Sequence, residues 1–390
     1  MSDRFWARVL TRLLRVTPAK PSLNLLRSLT DEHVVRALLE ADRLTRAELA
    51  AGTGLSKPTV SESVRRLLDA GLVEDTGERT SGPGRIGTYY ALSSSLGCAL
   101  VASVAPEGVV AESLDPHGTV LSRAEFPLAR PAEPGQVAIR LEQAAEAALA
   151  GRRARLAVVS AADPVDRASG RLVHLPDAPF LVGELSPGDV LRPVVEGPVL
   201  VDNDVNWAAR AERQARAGEA VDDVAYLYLG EGLGAAVVSD GDVRRGGSGL
   251  AGEVAHLVVT GPSGRAVRFT EVFAELGLRR AGSTAIDVPA LLAAPDGHRA
   301  AVARAVGDVV AALVALADPT LVVLGGAWGS DPGIATTVEA RLRELPRRTA
   351  VETARVRDEP SLAGARTEAL EQLRSTITAA ARTLTRAATG

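Results

Sequence analysis

Residues 201–212 read VDNDVNWAARAE and residues 225–256 read AYLYLGEGLGAAVVSDGDVRRGGSGLAGEVAH. Two apolar runs lead into this chemistry, Pro198 to Val201 and Val224 to Leu229, each with the length and β-branched content of a buried strand. Each ends where polar or glycine-rich residues begin, which predicts a ligand crevice at the carboxyl ends of strands in an open α/β sheet. Asn203, Asp204 and Asn206 stand at the first end, and Gly230, Gly232 and Gly234 at the second. Glycines so spaced either bring backbone close to a ligand or fold a tight hairpin. Glu253 and His256 follow a glycine run that must be a loop. A carboxamide, two carboxylates and an imidazole converging on one crevice suit a polyol.

Asn203-Asp204-Val205-Asn206, the Gly-x-Gly-x-Gly loop, Gly252-Glu253 with His256, and Asp318-Pro319 leading into Leu324-Gly325-Gly326 resemble the ROK family of sugar kinases and sugar-responsive repressors. The order and spacing match from about Leu96 onward, and the tip Gly82-Pro83-Gly84-Arg85 resembles the arginine-bearing wing of the family's repressor branch, of the xylose or N-acetylglucosamine repressor type. The resemblance implies an α/β body of two lobes, an actin-like, sugar-kinase-like (ribonuclease H-like) ATPase fold over residues 96–390. It also implies that Asn203, Asp204, Glu253, His256 and Glu271 meet a sugar, Asp204 matching the general base of the kinases.

Two phosphate sites of the resembled kinases are altered. Where they keep an Asp-x-Gly-x-Thr loop, this chain reads Ser103-Val104-Ala105-Pro106-Glu107, in which Pro106 removes an amide donor and Glu107 repels phosphate. Where they read Gly-Thr-Gly, it reads Gly230-Glu231-Gly232 and adds a second negative charge. The family's zinc cysteines are replaced too, Gly264 and Phe269 standing at cysteine positions. His256 alone falls short of the roughly four ligands zinc needs, so no metal and no cofactor are expected. Packing by Val267, Phe269, Val272 and Phe273 must order that region instead. Asp163-Pro164-Val165-Asp166 resembles the family's Pro-Gly-Pro-Val-Asp turn, and His174, beside a proline-containing loop, reads as structural.

The N-terminal quarter has a different grammar. Val34, Val35, Leu38 and Leu39 form a helical stripe, and Thr45-Arg46-Ala47-Glu48 is a capping box opening a short helix through Ala50. Gly54 makes a turn, Ser56 caps a third helix with Pro58 in its first turn, and Gly71 ends it. Val60, Val64, Leu67 and Leu68 must face inward, leaving Lys57, Thr59, Ser61, Glu62 and Arg65 outside. Two helices about a glycine turn, followed by strand-like runs flanking the polar stretch Glu78 to Gly87, describe a winged helix-turn-helix over residues 23–94. Lys57, Thr59, Ser61 and Arg65 are the expected DNA-contacting residues in a major groove. Arg85, in the tip Gly82-Pro83-Gly84-Arg85, is suited to a narrow minor groove. Residues 1–22 form a basic amphipathic arm.

Charge agrees with this division. Residues 1–97 hold 14 Lys and Arg against 11 Asp and Glu, leaving 30 against 37 for the rest; +3 and −7 sum to the net −4 of the 390-residue chain. A mildly basic head on an acidic body fits a nucleic-acid binder joined to something that does not bind it. The single cysteine, Cys98, excludes an internal disulfide framework. No apolar run is read as approaching the ~20 residues of a membrane span, nor the N-terminus as a secretory signal, so a cytoplasmic protein is expected.

Together these readings predict a sugar-responsive transcriptional regulator, working as a repressor with a catalytically silent body. Its partners would be a double-stranded DNA operator, a small sugar or sugar-phosphate effector and a second copy, as homodimer or homotetramer, with no membrane. The alternative is an active ATP-dependent sugar kinase with an appended DNA-binding domain.

Overall fold

The stripe Val34, Val35, Leu38 and Leu39 is buried on a helix, Leu23–Glu40, that starts earlier than its densest signals. A computed structural model describes residues 23–81, 86–175, 179–219, 221–343 and 349–387. The chain divides into two units, one of residues up to Leu96 together with those from Arg374, the other Gly97–Leu373.

In the first unit the helix Leu23–Glu40 packs with Arg46–Thr53 and Lys57–Asp69. The capping box at Thr45 is realised in both directions: Thr45 N donates to Glu48 Oε2 at 2.8 Å, and Glu48 N to Thr45 Oγ1 at 3.2 Å. The second helix runs to Thr53, where Gly54 turns the chain with φ 72°. Strands β1 (Leu44–Thr45), β2 (Val73–Arg79) and β3 (Thr88–Leu92) form a sheet in the order β1-β3-β2, the wing hairpin being β2 and β3. The wing tip with Arg85 and the arm of residues 1–22 lie outside the described residues. The last turns of the helix Pro360–Ala387 group with the head. There Arg382 binds Glu32, and Arg374 Nη2 donates to Leu39 O at 3.3 Å.

The second unit repeats one topology twice. Strands β4 (Cys98–Ala105), β5 (Gly108–Leu114), β6 (Val120–Pro127), β7 (Ala154–Ala161) and β8 (Val199–Asn203) form a sheet in the order β6-β5-β4-β7-β8. Strands β9 (Val224–Leu229), β10 (Leu233–Ser239), β11 (Asp242–Val243), β14 (Leu321–Gly325) and β15 (Ala350–Thr353) give β11-β10-β9-β14-β15. Each has an antiparallel three-strand meander followed by two parallel strands. This doubled sheet is the two-lobed ribonuclease H-like architecture expected. The first lobe's core joins Leu100, Val104, Leu141, Ala144 and Val159, the second's Leu227, Leu229, Val306, Val310 and Trp328.

A small hairpin of β12 (Val258–Thr260) and β13 (Ala266–Arg268) occupies the region of the missing cysteines. Phe269 there is fully buried, its ring 5.7 Å from Phe273, which lies 5.8 Å from Trp328, so apolar packing orders the segment. Contrary to the sequence reading, one helix, Asp296–Ala317, is long and apolar enough by composition to cross a membrane. Its Val302, Val306, Val309 and Val310 are wholly buried in the second lobe, which accounts for the composition as that of a core helix.

Candidate functional site

In the head, Ser56 holds the start of the third helix, its Oγ accepting from Thr59 N at 3.3 Å. Lys57 and Thr59 are exposed on the first turn, Ser61 is half-buried, and Val60, Val64 and Leu67 face the core. The helix is fixed from beneath by Asp31, wholly buried, which accepts from Ser63 Oγ at 2.6 Å and from Arg66 Nη2 at 2.7 Å. Arg65 is exposed but engaged: it donates to Glu62 at 2.7 Å and to Asp69 at 3.2 Å. Glu62 therefore lies in an ion pair along its own helix.

In the body, β7 and β8 run parallel and pair Ala161 with Asn203, so both deliver their next residues to one sheet edge. Asn203 is turned inward. Its Oδ1 accepts from Val205 N at 2.9 Å, capping the helix Asp204–Ala215, and its Nδ2 donates to the carbonyls of Ala161 and Asp163 at 3.4 and 3.3 Å. Its half-buried side chain thus clamps the Asp163 carbonyl at the start of the helix that Asp204 opens. Asn206 is buried likewise, donating to Asp202 at 2.8 Å.

The second lobe reaches this edge through its glycines. The β9–β10 turn is a tight hairpin closed by Gly230 N to Gly232 O at 3.1 Å. A Cβ on Gly234 would lie 2.8 Å from Val205, and one on Gly252 1.8 Å from Ala235 O, so only glycine admits these approaches. They carry Glu253 to Asp204. His256 ends a short 3-10 turn, Val254–His256, and is half-buried. Glu271 faces Arg279 at 3.4 Å. His174 Nδ1 hydrogen-bonds Leu181 O at 2.8 Å, a structural contact.

Three carboxyls lie at these strand ends and loops, Asp163 buried and Asp204 and Glu253 half-buried. Burial pushes Asp204 up to about 7, the charges of Glu253 and Glu107 adding to it. Burial alone takes Glu253 to about 7. Asp163 reaches about 7 through burial and then repulsion by Asp204 and Glu253, opposed by a hydrogen bond from the Leu181 amide. Such groups exchange protons near neutrality. Among the described residues no group of His, Cys, Asp and Glu is arranged to hold a metal ion.

The two loops that stand in place of the resembled kinases' phosphate loops are joined by ion pairs. Arg130 Nη1 meets Glu231 Oε2 at 2.6 Å, Arg280 Nη2 meets Glu231 Oε1 at 2.5 Å, and Arg130 also donates to Glu107 at 3.3 Å and to Pro106 O at 3.1 Å. The turn Gly325-Gly326 is equally full: a Cβ on Gly325 would lie 2.1 Å from the Tyr226 hydroxyl, and Gly326 has φ 87°. Two cavities of about 430 and 690 Å³ lie elsewhere on the body, the larger walled by Arg167, Arg210, Arg213 and Arg245. Neither is lined by Asp204 or Glu253. The carboxyl crevice stands on its chemistry rather than on open volume.

Residues 114–272 match the ROK family, and residues 27–74 a winged helix-turn-helix DNA-binding family. The body carries a ROK-family domain. The chain is similar to a beta-glucoside kinase of Listeria monocytogenes, 29% identical over 186 residues, covering 43% of this chain and 63% of that one. It is also similar to the xylose repressor of Caldicellulosiruptor bescii, 25% identical over 245 residues and 60% of each chain. The matched segments span less than two thirds of these curated relatives. A crystal structure described as a ROK family transcriptional regulator, homolog of E. coli MLC protein, covers 90% of this chain and 99% of that one with TM-score 0.60. At 18% identity it shows the shared fold.

Within the ROK body, reading from sequence missed three residues. Asp163 stands where the resembled turn has glycine. The signal was present, a carboxylate in place of the smallest residue, but its burial was not. Arg130 and Arg280 lie 101 and 49 residues from Glu231 and gave no local sign.

Proposed function

We propose that this chain is a sugar-responsive, DNA-binding transcriptional regulator, a repressor, whose ROK body binds a small sugar or sugar phosphate and transfers no phosphoryl group. The carrying observation is the Arg130–Glu231–Arg280 ion-pair set standing where a polyphosphate would lie, in a chain with a winged helix-turn-helix head. Similarity to the xylose repressor supports the reading. Asp204, Glu253, His256 and Glu271 are the sugar-facing residues in this proposal. Lys57, Thr59, Ser61, Arg65 and Arg85 are the DNA-facing ones, Arg65 exchanging its carboxylate partners for phosphate. A homodimer would read a pseudo-palindromic site. The effector shifts DNA affinity only as far as it binds the DNA-competent and incompetent states differently.

Asp204 favours a second reading. A carboxyl pushed up to about 7 is a competent general base, and the Listeria relative is named a kinase. One experiment separates the two. The full chain is used to select duplexes from a random pool, and its turnover with ATP is measured across a hexose panel. Salt-sensitive binding to a selected palindrome with background turnover is expected; phosphorylation at rates of ordinary kinases, about 1 s⁻¹ or more, overturns the silent body.

A further inference from the structure

The larger cavity of the body, of about 690 Å³, is walled by arginines from three elements: Arg167 in the turn after β7, Arg210 and Arg213 on the helix Asp204–Ala215, and Arg244 and Arg245 in the loop after β11. The carboxylates that line it are three, Asp202, Asp242 and Glu371. The guanidiniums are held in place by the chain itself. Arg167 Nη1 donates to Gly246 O at 3.1 Å and its amide to Ser248 O at 2.9 Å, Arg244 Nη2 donates to Ser239 O at 3.0 Å, and Arg245 Nε meets Asp202 Oδ2 at 2.7 Å. A Cβ on Gly241 would lie 2.6 Å from Arg213 Nη2, so only glycine in that turn leaves the guanidinium its room.

Their charges are lightly answered. Arg213 and Arg244 pair with Asp222 and Asp240, which stand outside the cavity lining with side chains 66% and 85% exposed, and surface pairs of this kind hold weakly. Arg167 has no carboxylate partner among the described residues. Planar guanidiniums converging on one space match the oxygens of a phosphate. The volume falls within the roughly 300–1,000 Å³ of small-molecule sites and exceeds what a lone phosphate fills. Gln214 and Asp242 line it with groups that hydrogen-bond hydroxyls.

We propose that this cavity is a ligand site separate from the carboxyl crevice, and that it takes a phosphorylated sugar, the phosphate seated among Arg167, Arg244 and Arg245. Arg210 gives the site an outlet. It holds Glu368 and Glu371 of the helix Pro360–Ala387 at 2.6 Å each, and the last turns of that helix group with the head. A phosphate drawing on Arg210 competes with Glu371, so occupancy alters the hold on that helix. This last step rests on the reading of the chain as a regulator; the site itself does not.

The test is calorimetric titration of the full chain with glucose 6-phosphate, fructose 6-phosphate and mannose 6-phosphate, beside the parent sugars, inorganic phosphate and sulfate. Affinity for a selected duplex is measured with each. At least one ester should bind about tenfold or more tightly than its parent sugar and than inorganic phosphate. Arg167→Gln should weaken that ester about tenfold, while Asp204→Asn, in the crevice, should leave its affinity within about twofold. Arg244→Gln, like Arg167→Gln a change at an exposed residue, repeats the comparison if the first variant does not fold. The proposal is overturned if no ester binds, if inorganic phosphate or sulfate binds as tightly, if the affinity survives both arginine variants, or if Asp204→Asn abolishes it, which would put the ester in the crevice. Esters that bind here without changing DNA affinity keep the site and remove its link to the head. Neutral sugars that bind and alter DNA affinity while no ester binds would remove this site and leave the sensor reading standing.

Discussion

Replacing Asp163 with Asn should stabilise the body, and the gain should grow with pH. Burial and the charges of Asp204 and Glu253 raise its carboxyl from 3.8 to about 7. Between those values the folded chain keeps a proton that the unfolded chain has released, so wild-type stability falls as pH rises, by about 1.4 kcal/mol per pH unit for one proton. From pH 5.5 to about pH 7 that is 1.5 units, or about 2 kcal/mol, and above 7 the loss is complete. Asn occupies the same volume without this charge. Urea denaturation at pH 5.5 and pH 8, followed by the fluorescence of Trp207 and Trp328, both buried in the second unit, reports on the relevant body. The stability gap, variant minus wild type, should widen by about 2 kcal/mol between the two pH values. A gap that stays constant would refute the reasoning, since Asp163 would then titrate in the fold as it does in the unfolded chain.

Asp31→Ala should destabilise the head by about 2–4 kcal/mol, since it leaves Ser63 and the mostly buried Arg66 without their acceptor; thermal melts of the full chain against wild type measure it. Lys57→Ala should weaken DNA binding across sequences and lower the salt slope by about 1 in titrations at several salt concentrations, if Lys57 meets phosphate. Phe273→Ala should cost about 3–5 kcal/mol in urea denaturation, because it opens the Phe269–Phe273–Trp328 stack. Glu231→Thr should free Arg280, leave Arg130 held only by Glu107 and the Pro106 carbonyl, and raise affinity for inorganic tripolyphosphate about tenfold in a thermal-shift titration. Turnover with ATP should stay at background, because Pro106 still lacks an amide donor.

The head was legible because its signals are local. Ser56, Thr45 with Glu48, and Gly54 sit at helix ends where a side chain or a positive φ satisfies backbone within three or four residues, and each does what its type predicts. The sheet edge was legible too, since strand length and a polar break locate Asp204 from sequence alone. Asn203 has a local role that its position also predicted: Asn immediately before a helix is a favoured N-cap, and its Oδ1 caps the helix Asp204–Ala215. The core helix Asp296–Ala317 carries the opposite ambiguity: composition alone does not separate burial in protein from burial in lipid, and only its packing does. Asp163, Arg130 and Arg280 were hidden because their meaning lies in partners far away in the chain, or in the lack of one.

Glu231 shows how one expectation can rest on two different forces. From sequence it is a negative charge set to repel polyphosphate. In the fold its two carboxylate oxygens are taken by Arg130 and Arg280, and Arg130 also holds Glu107, so two carboxylates face two guanidiniums and the local charge is close to balanced. Repulsion is then weak, and the two guanidiniums that could bind phosphate there each already hold a carboxylate. The neighbouring Asp163, Asp204 and Glu253 have no such guanidinium partners among the causes of their shifts, and burial raises all three to about 7. One end of the cleft therefore answers its charges with opposite charges, the other by holding protons towards neutrality.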